Sequence, residues 1–222
     1  MRASCRRKSW KRFTSLYRAS QAALSATCRE GCLPLTEIPV DAAAGEDYNR
    51  GSKKEQRRTE MSAQQVTYTF ESRKEADTDR LGQLLSGYLQ PGTVITLDGD
   101  LGAGKTRFSQ GFARAIGIAE HVNSPTFTII KEYEGDHLPF YHMDMYRISQ
   151  EEADELGLED YFYGTGVSLI EWSSLIADLL PPDRLAITIS LMEDQSRVFH
   201  LTPYGLPYEI WCLQMKENGH LQ

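Results

Sequence analysis

Val94-Ile95-Thr96-Leu97-Asp98-Gly99-Asp100-Leu101-Gly102-Ala103-Gly104-Lys105-Thr106 is the stretch that decides the fold. Its first four residues are a short apolar run with strand composition, and the residues from Gly99 to Thr106 fit G-x-x-x-x-G-K-[ST]. Beyond Thr106, Phe108, Phe112, Ala115 and Ile116 recur at helical spacing, and Gly117 closes that segment. Strand, Gly-rich loop and helix in this order form a phosphate-binding unit. The glycines Gly99, Gly102 and Gly104 let the backbone curl so that the N–H groups of Asp100, Leu101 and Ala103 turn toward an anion. The helix that begins near Lys105 adds its positive end to the same place. Lys105 would reach the β- and γ-phosphates, and the Thr106 hydroxyl would ligate Mg²⁺. No N-K-x-D stretch, the guanine-reading motif of small GTPases, occurs in the chain, so ATP is the expected nucleotide.

Working outward, the pattern on either side is that of alternating strands and helices. Val66 to Phe70 has strand composition, and Ser72-Arg73-Lys74-Glu75 reads as a capping box opening a helix with Leu81, Leu84, Leu85 and Tyr88 on one face. After Ser124-Pro125, the run Phe127 to Tyr133 and the run Leu138 to Met143 flank a turn at Glu134-Gly135-Asp136, which predicts a hairpin. An acidic helix follows over about Glu151 to Leu156. Val167 to Ile170 predicts a second buried strand, and a short helix runs to Leu180 before Pro181-Pro182. Leu185 to Leu191 and Arg197 to Thr202 predict further strands, and Tyr208 to Lys216 a terminal helix. The fold class expected is α/β, a P-loop NTPase fold with a mainly parallel sheet, an antiparallel hairpin and flanking helices.

The chain has 222 residues and a formal net charge of −7. That average hides a division. Residues 1–60 carry 13 Lys and Arg against 7 Asp and Glu, whereas residues 61–222 carry 11 against 24. The expected organisation is a basic extension over 1–61, read as disordered, and a P-loop ATPase domain over 62–222. A transit peptide and a basic arm for RNA are the other readings of the extension. Met61 is a candidate alternative start, and Cys28 and Cys32 lack a second ligand pair and read as plain thiols. No run approaches 18 consecutive apolar residues. The acidic domain is a poor independent binder of nucleic acid, because such binding depends on phosphate neutralisation.

A P-loop enzyme needs an acid at the end of a neighbouring strand. Glu171 follows the apolar run Val167 to Ile170 and is one candidate, the alternative being a solvated strand end. Asp144 is the other, within His142-x-Asp144-x-Tyr146-Arg147, with a salt bridge to Arg147 or a helix cap as its alternative. Trp172 reads as core packing or as a wall of the nucleotide site. His142 alone reads as a hydrogen-bonded structural histidine. Ser124 and Thr126, between the loop helix and the next strand, form either a nucleotide-sensing switch loop or an ordinary Ser-Pro turn.

Five segments now stand in order: L-x-G-D-L-G-A-G-K-T from Leu97, V-N-S-P-T-F-T from Val122, Y-H-M-D-M-Y-R from Tyr141, L-G-L-E-D-Y-F from Leu156, and I-E-W from Ile170. Together they closely resemble the bacterial TsaE family, formerly YjeE, over about residues 66–215. The resemblance implies a small Mg²⁺-dependent P-loop ATPase of tRNA threonylcarbamoyladenosine modification, feeble alone and working with TsaD and TsaB in the cytoplasm. It implies Thr106 and Glu171 as Mg²⁺ residues, Lys105 as the phosphate lysine, and Asp144 as the acid needed for hydrolysis. Trp172 resembles the family tryptophan beside the nucleotide, and Arg197 a family arginine near it. Through those partners tRNA would be met only indirectly. The family usually reads G-K-T-T, and here Arg107 replaces the second Thr, which removes a hydroxyl at the α-phosphate end of the loop and places a cation there. A small kinase and a non-hydrolysing nucleotide-binding module are the competing functions. A kinase would want an Arg-rich lid, which residues 61–222 do not show.

Overall fold

The computed structural model describes residues 65–222. The expectations for residues 1–61, including Cys28, Cys32 and Met61, lie outside the described residues. Seven strands form one sheet: β1 (Tyr68–Ser72), β2 (Thr93–Gly99), β3 (Ile130–Tyr133), β4 (Phe140–Asp144), β5 (Val167–Glu171), β6 (Arg184–Leu191) and β7 (Arg197–Tyr204). Among the described residues five α-helices flank it: α1 (Glu75–Ser86), α2 (Lys105–Ala115), α3 (Gln150–Asp154), α4 (Leu158–Phe162) and α5 (Leu206–Glu217), with a 3₁₀ segment at Ser173–Leu179.

The strand order is β1-β7-β6-β2-β5-β4-β3. The β6–β2, β2–β5 and β5–β4 pairings are parallel. Antiparallel pairings close both margins: β3–β4 at one, β6–β7 and β1–β7 at the other. The β3–β4 hairpin stands as the sequence predicts. The second margin adds more antiparallel structure than the sequence led us to expect, because β7 turns straight back on β6 instead of crossing over.

Alternation along the central strands separates two cores. Ile95 and Leu97 of β2 and Leu169 of β5 face the side covered by α1, α2 and α5, where Leu81, Phe108, Phe112 and Trp211 pack. Val94 and Ile170 face the other side with Phe162, Leu158 and Ile176. Phe108 stacks on Phe112 at 6.0 Å and meets Phe199 at 5.6 Å, which anchors α2 to the sheet. Burying one such ring stabilises the fold by about 2–3 kcal/mol relative to exposure. Gly82 and Gly111 let α1 and α2 touch closely; a Cβ on Gly82 would lie 3.0 Å from the Phe112 backbone.

Two local readings are corrected. Ser72 is the last residue of β1 and not a helix cap; its hydroxyl pairs with that of Thr78. The helix begins after Lys74, where Asp77 accepts from the backbone N–H groups of Arg73 and Lys74. Phe127 to Ile129 is a turn and not strand. Thr128 and Ile129 both donate to the Pro125 carbonyl, and Ile129 sits at φ 66°, so β3 starts only at Ile130.

Candidate functional site

The loop from Gly99 to Thr106 leaves the carboxyl end of the central strand β2, where ligands gather in open α/β sheets. Two of its glycines are required by geometry. Gly99 has φ 142°, and a Cβ there would lie 2.6 Å from the Ile189 carbonyl oxygen. Gly104, the residue before α2, has φ 111°, and a Cβ there would lie 3.2 Å from Nε of Arg197. Lys105 and Thr106 then occupy the first turn of α2, whose backbone N–H groups lack helical acceptors.

Lys105 is buried. Its Nζ donates to the carbonyls of Gly99 at 2.6 Å and Asp100 at 3.0 Å, and lies 3.7 Å from the centre of the Trp172 ring. Burial pulls its pKa below the ordinary lysine value, against the opposing fields of Glu171, Asp144, Asp98 and Asp100. Trp172 is fixed by a left-handed backbone (φ 59°), a hydrogen bond from its N–H to the Leu97 carbonyl, and packing on Tyr146 at 4.9 Å.

Asp144 and Glu171 end adjacent parallel strands and are register partners. Both belong to the alternation that faces α2. Glu171 is buried at 2% exposure; its Oε1 accepts from Ser109 Oγ at 2.7 Å and from His142 Nε2 at 2.8 Å. Asp144 is buried at 3%. Its Oδ2 accepts from Ser124 at 3.0 Å and Thr126 at 2.5 Å, and its Oδ1 from the Tyr146 N–H at 3.1 Å. Ser124 and Thr126 therefore lie against the acid on β4. Arg197, first in β7, donates from Nε to the Ala103 carbonyl at 3.1 Å and so ties a late strand to the loop.

Arg107 differs from its expectation. Its guanidinium turns to α1, where it makes a two-point pair with Asp79 at 2.7 and 2.8 Å and reaches Glu75 at 3.3 Å. The cation expected at the α-phosphate end of the loop is committed to those acids. The Arg107 hydrogen bond holds the Asp79 carboxyl below its usual range, and Arg114 adds to it.

Three contributors were not read as site residues. Ser109 lies four residues after Lys105 and shares its helix face, which is the signal that could have found it. The sequence alone presents His142 as a structural histidine. Asp98 accepts from Ser173 and from the Ser174 N–H, and so fixes the segment that follows Trp172.

A Gly-rich strand–loop–helix at the carboxyl edge of a mixed sheet, with paired acids on the neighbouring strands, defines a P-loop-type α/β protein. Residues 72–199 match the family described as "Threonylcarbamoyl adenosine biosynthesis protein TsaE". The Bacillus subtilis (strain 168) protein named tRNA threonylcarbamoyladenosine biosynthesis protein TsaE is 47% identical over 145 residues, covering 65% of this chain and 91% of that protein. The Treponema pallidum (strain Nichols) protein of the same name is 42% identical over 127 residues, covering 57% of this chain and 93% of that protein. The crystal structure of Bacillus subtilis YdiB superposes with a TM-score of 0.61 at 41% identity, covering 69% of this chain and 97% of that one. The chain belongs to the TsaE family.

Proposed function

We propose that this chain binds Mg²⁺-ATP on the Gly99–Thr106 loop and hydrolyses it weakly, as a component of the tRNA threonylcarbamoyladenosine machinery acting with TsaD and TsaB homologues. The observation that carries this reading is the placement of the Lys105 ammonium between the loop carbonyls and Trp172, with the carboxylates of Glu171 and Asp144 at adjoining strand ends on the same face. Lys105 exchanges its two carbonyl acceptors for phosphate oxygens, which are stronger, charge-assisted partners. The loop N–H groups and the first turn of α2 orient the phosphate chain. One hydroxyl (Thr106) and one carboxylate (Glu171) are the donor set that suits Mg²⁺, a cation that takes few protein ligands and completes its shell with water and phosphate. When bound, Mg²⁺ neutralises charge on the β- and γ-oxygens. Among the described residues Asp144 accepts through Oδ1 from one N–H, so that oxygen keeps a lone pair to orient the attacking water. Ser124 and Thr126 fix the rotation of its carboxyl.

The family resemblance supports the partner assignment, and the net −13 of residues 61–222 supports contact with tRNA through those partners. Among the described residues no helix is long and apolar enough to cross a membrane. The relatives named above are bacterial, and with tRNA as the substrate of the machinery we assign the protein to the cytoplasm. The test is ATP turnover with and without a purified TsaB–TsaD pair, for wild type and Glu171→Ala. Stimulation of wild type and none of Glu171→Ala is expected. Absence of stimulation in wild type removes the partner assignment.

A further inference from the structure

Both donors that reach Glu171 bond the same oxygen. Ser109 comes from α2 and His142 from β4, and each ends on Oε1. Oε2 has no hydrogen-bond partner among the described residues. Among those residues the one side-chain nitrogen or oxygen that is sealed from solvent and unpaired is His142 Nδ1. The ring of His142 is itself fully buried and stacks on Phe140 at 5.9 Å. Because the carboxylate can only accept, Nε2 carries the hydrogen of this bond, and Nδ1 is left buried without a partner among the described residues. A buried polar nitrogen without a partner costs stability. Packing alone would be served without that cost by an apolar ring; what the histidine adds is one N–H aimed at Glu171.

We propose that Ser109 and His142 are positioning residues that pin Oε1 of Glu171, fix the rotation of its carboxylate, and so present Oε2 to the divalent cation. The proposal rests on the reading of Glu171 as a cation-holding residue. It makes α2 the carrier of both the phosphate lysine and one of the two pins, since Ser109 Oγ also reaches the Lys105 carbonyl at 3.1 Å.

The experiment measures, on the full chain, the affinity for the β,γ-imido analogue of ATP in Mg²⁺ and in EDTA. The ratio of the two is the gain due to the cation. Gln places its amide nitrogen where Nε2 of histidine lies, whereas Asn places it where Nδ1 lies. His142→Asn and Ser109→Ala are therefore expected to lower the Mg²⁺ gain by about tenfold, the usual scale for groups that orient a metal ligand. Their EDTA affinity should stay within about twofold of wild type, and His142→Gln should restore most of the gain. Ser109→Ala deletes a single oxygen, and it carries the test if a His142 variant fails to melt cooperatively. A full Mg²⁺ gain in both Ser109→Ala and His142→Asn overturns the proposal, as does a His142→Gln variant no better than His142→Asn. A wild type with equal affinity in Mg²⁺ and EDTA overturns the cation reading of Glu171, and this proposal with it.

Discussion

Asp144 stands directly opposite Glu171 in the β4–β5 pairing, so the last residues of two neighbouring parallel strands present carboxylates in one row and toward one face of the sheet. Their surroundings then separate their roles. Glu171 is pinned through one oxygen by Ser109 and His142, deep beside α2. Asp144 is bound by the hydroxyls of the 124–126 loop and by a backbone N–H. In the proposed function a pair so arranged divides the work between holding a cation and orienting water.

Asp144→Asn keeps the shape of the side chain and removes its charge. Affinity for the β,γ-imido analogue should stay within about threefold of wild type, while partner-stimulated turnover falls by about 100-fold, the lower range for loss of a catalytic acid or base. Turnover near the wild-type rate would take Asp144 out of the reaction.

Thr126→Val removes a hydroxyl and keeps the branched shape. The Thr126 hydroxyl donates to Asp144 Oδ2 at 2.5 Å and lies 2.5 Å from the Ser124 oxygen. A carboxyl that has lost this restraint samples more rotations, and misplaced catalytic groups lose rate more than binding. The stimulated kcat should fall by about tenfold with KM within twofold. A rise in KM with kcat unchanged would make the loop a binding element only.

The loop was legible because each of its residue types has a local job. Gly, Lys and Thr at fixed spacing act through their own backbone or the next helix turn, so their order in the chain already contains the geometry. The strand ends at Asp144 and Glu171 were legible for a similar reason, as polar residues that close apolar runs. What joins them was not. Ser109, His142 and Glu171 come from three elements, and only the β2–β5–β4 register and the lie of α2 bring them together. Arg107 shows the same limit: its position in the motif pointed to phosphate, but α1 packs across α2 and offers it Asp79. Ser72 misled because S-x-x-E is a local pattern, and β1 pairing with β7 carries the strand through that serine.

Arg107→Thr places at this position the residue that the family pattern usually carries, and it breaks the two-point pair with Asp79. A loss of about 1 kcal/mol at pH 7 is expected, as for a partly exposed ion pair of good geometry. The loss depends on pH with a definite sign. The carboxyl of Asp79 titrates below the ordinary 3.8 in the folded chain, chiefly through its hydrogen bond from Arg107. Its contribution is complete above that value and disappears as pH falls through the lower folded value. Urea midpoints of wild type and variant should therefore differ at pH 7 and converge as pH falls below 3.8. A constant difference would place the effect elsewhere than in Asp79.

Deletion of residues 1–60 should leave affinity for the ATP analogue within about twofold. The family match begins at residue 72, and every group assigned to the nucleotide lies between Gly99 and Arg197. A large loss would show that the basic segment contributes to the site.

Gly104→Ala tests the joint between loop, helix and late strand. The residue sits at φ 111°, outside the region open to alanine, and the added methyl would lie 3.2 Å from Nε of Arg197. Two costs follow. Backbone strain is worth about 1–3 kcal/mol, and Arg197 must give way, which weakens its hydrogen bond to the Ala103 carbonyl and loosens β7 from the loop. Gly102→Ala separates the two, because Gly102 is also left-handed at φ 83° but has nothing within 4 Å of the new methyl. Gly104→Ala should thus melt at a lower temperature than Gly102→Ala and bind the analogue at least about tenfold more weakly. If displacement of Arg197 is the reason, Arg197→Ala should cost clearly less in the Gly104→Ala background than in wild type, as expected of residues that share a contact. Additive losses would leave backbone strain as the whole effect and free Arg197 from any part in shaping the loop.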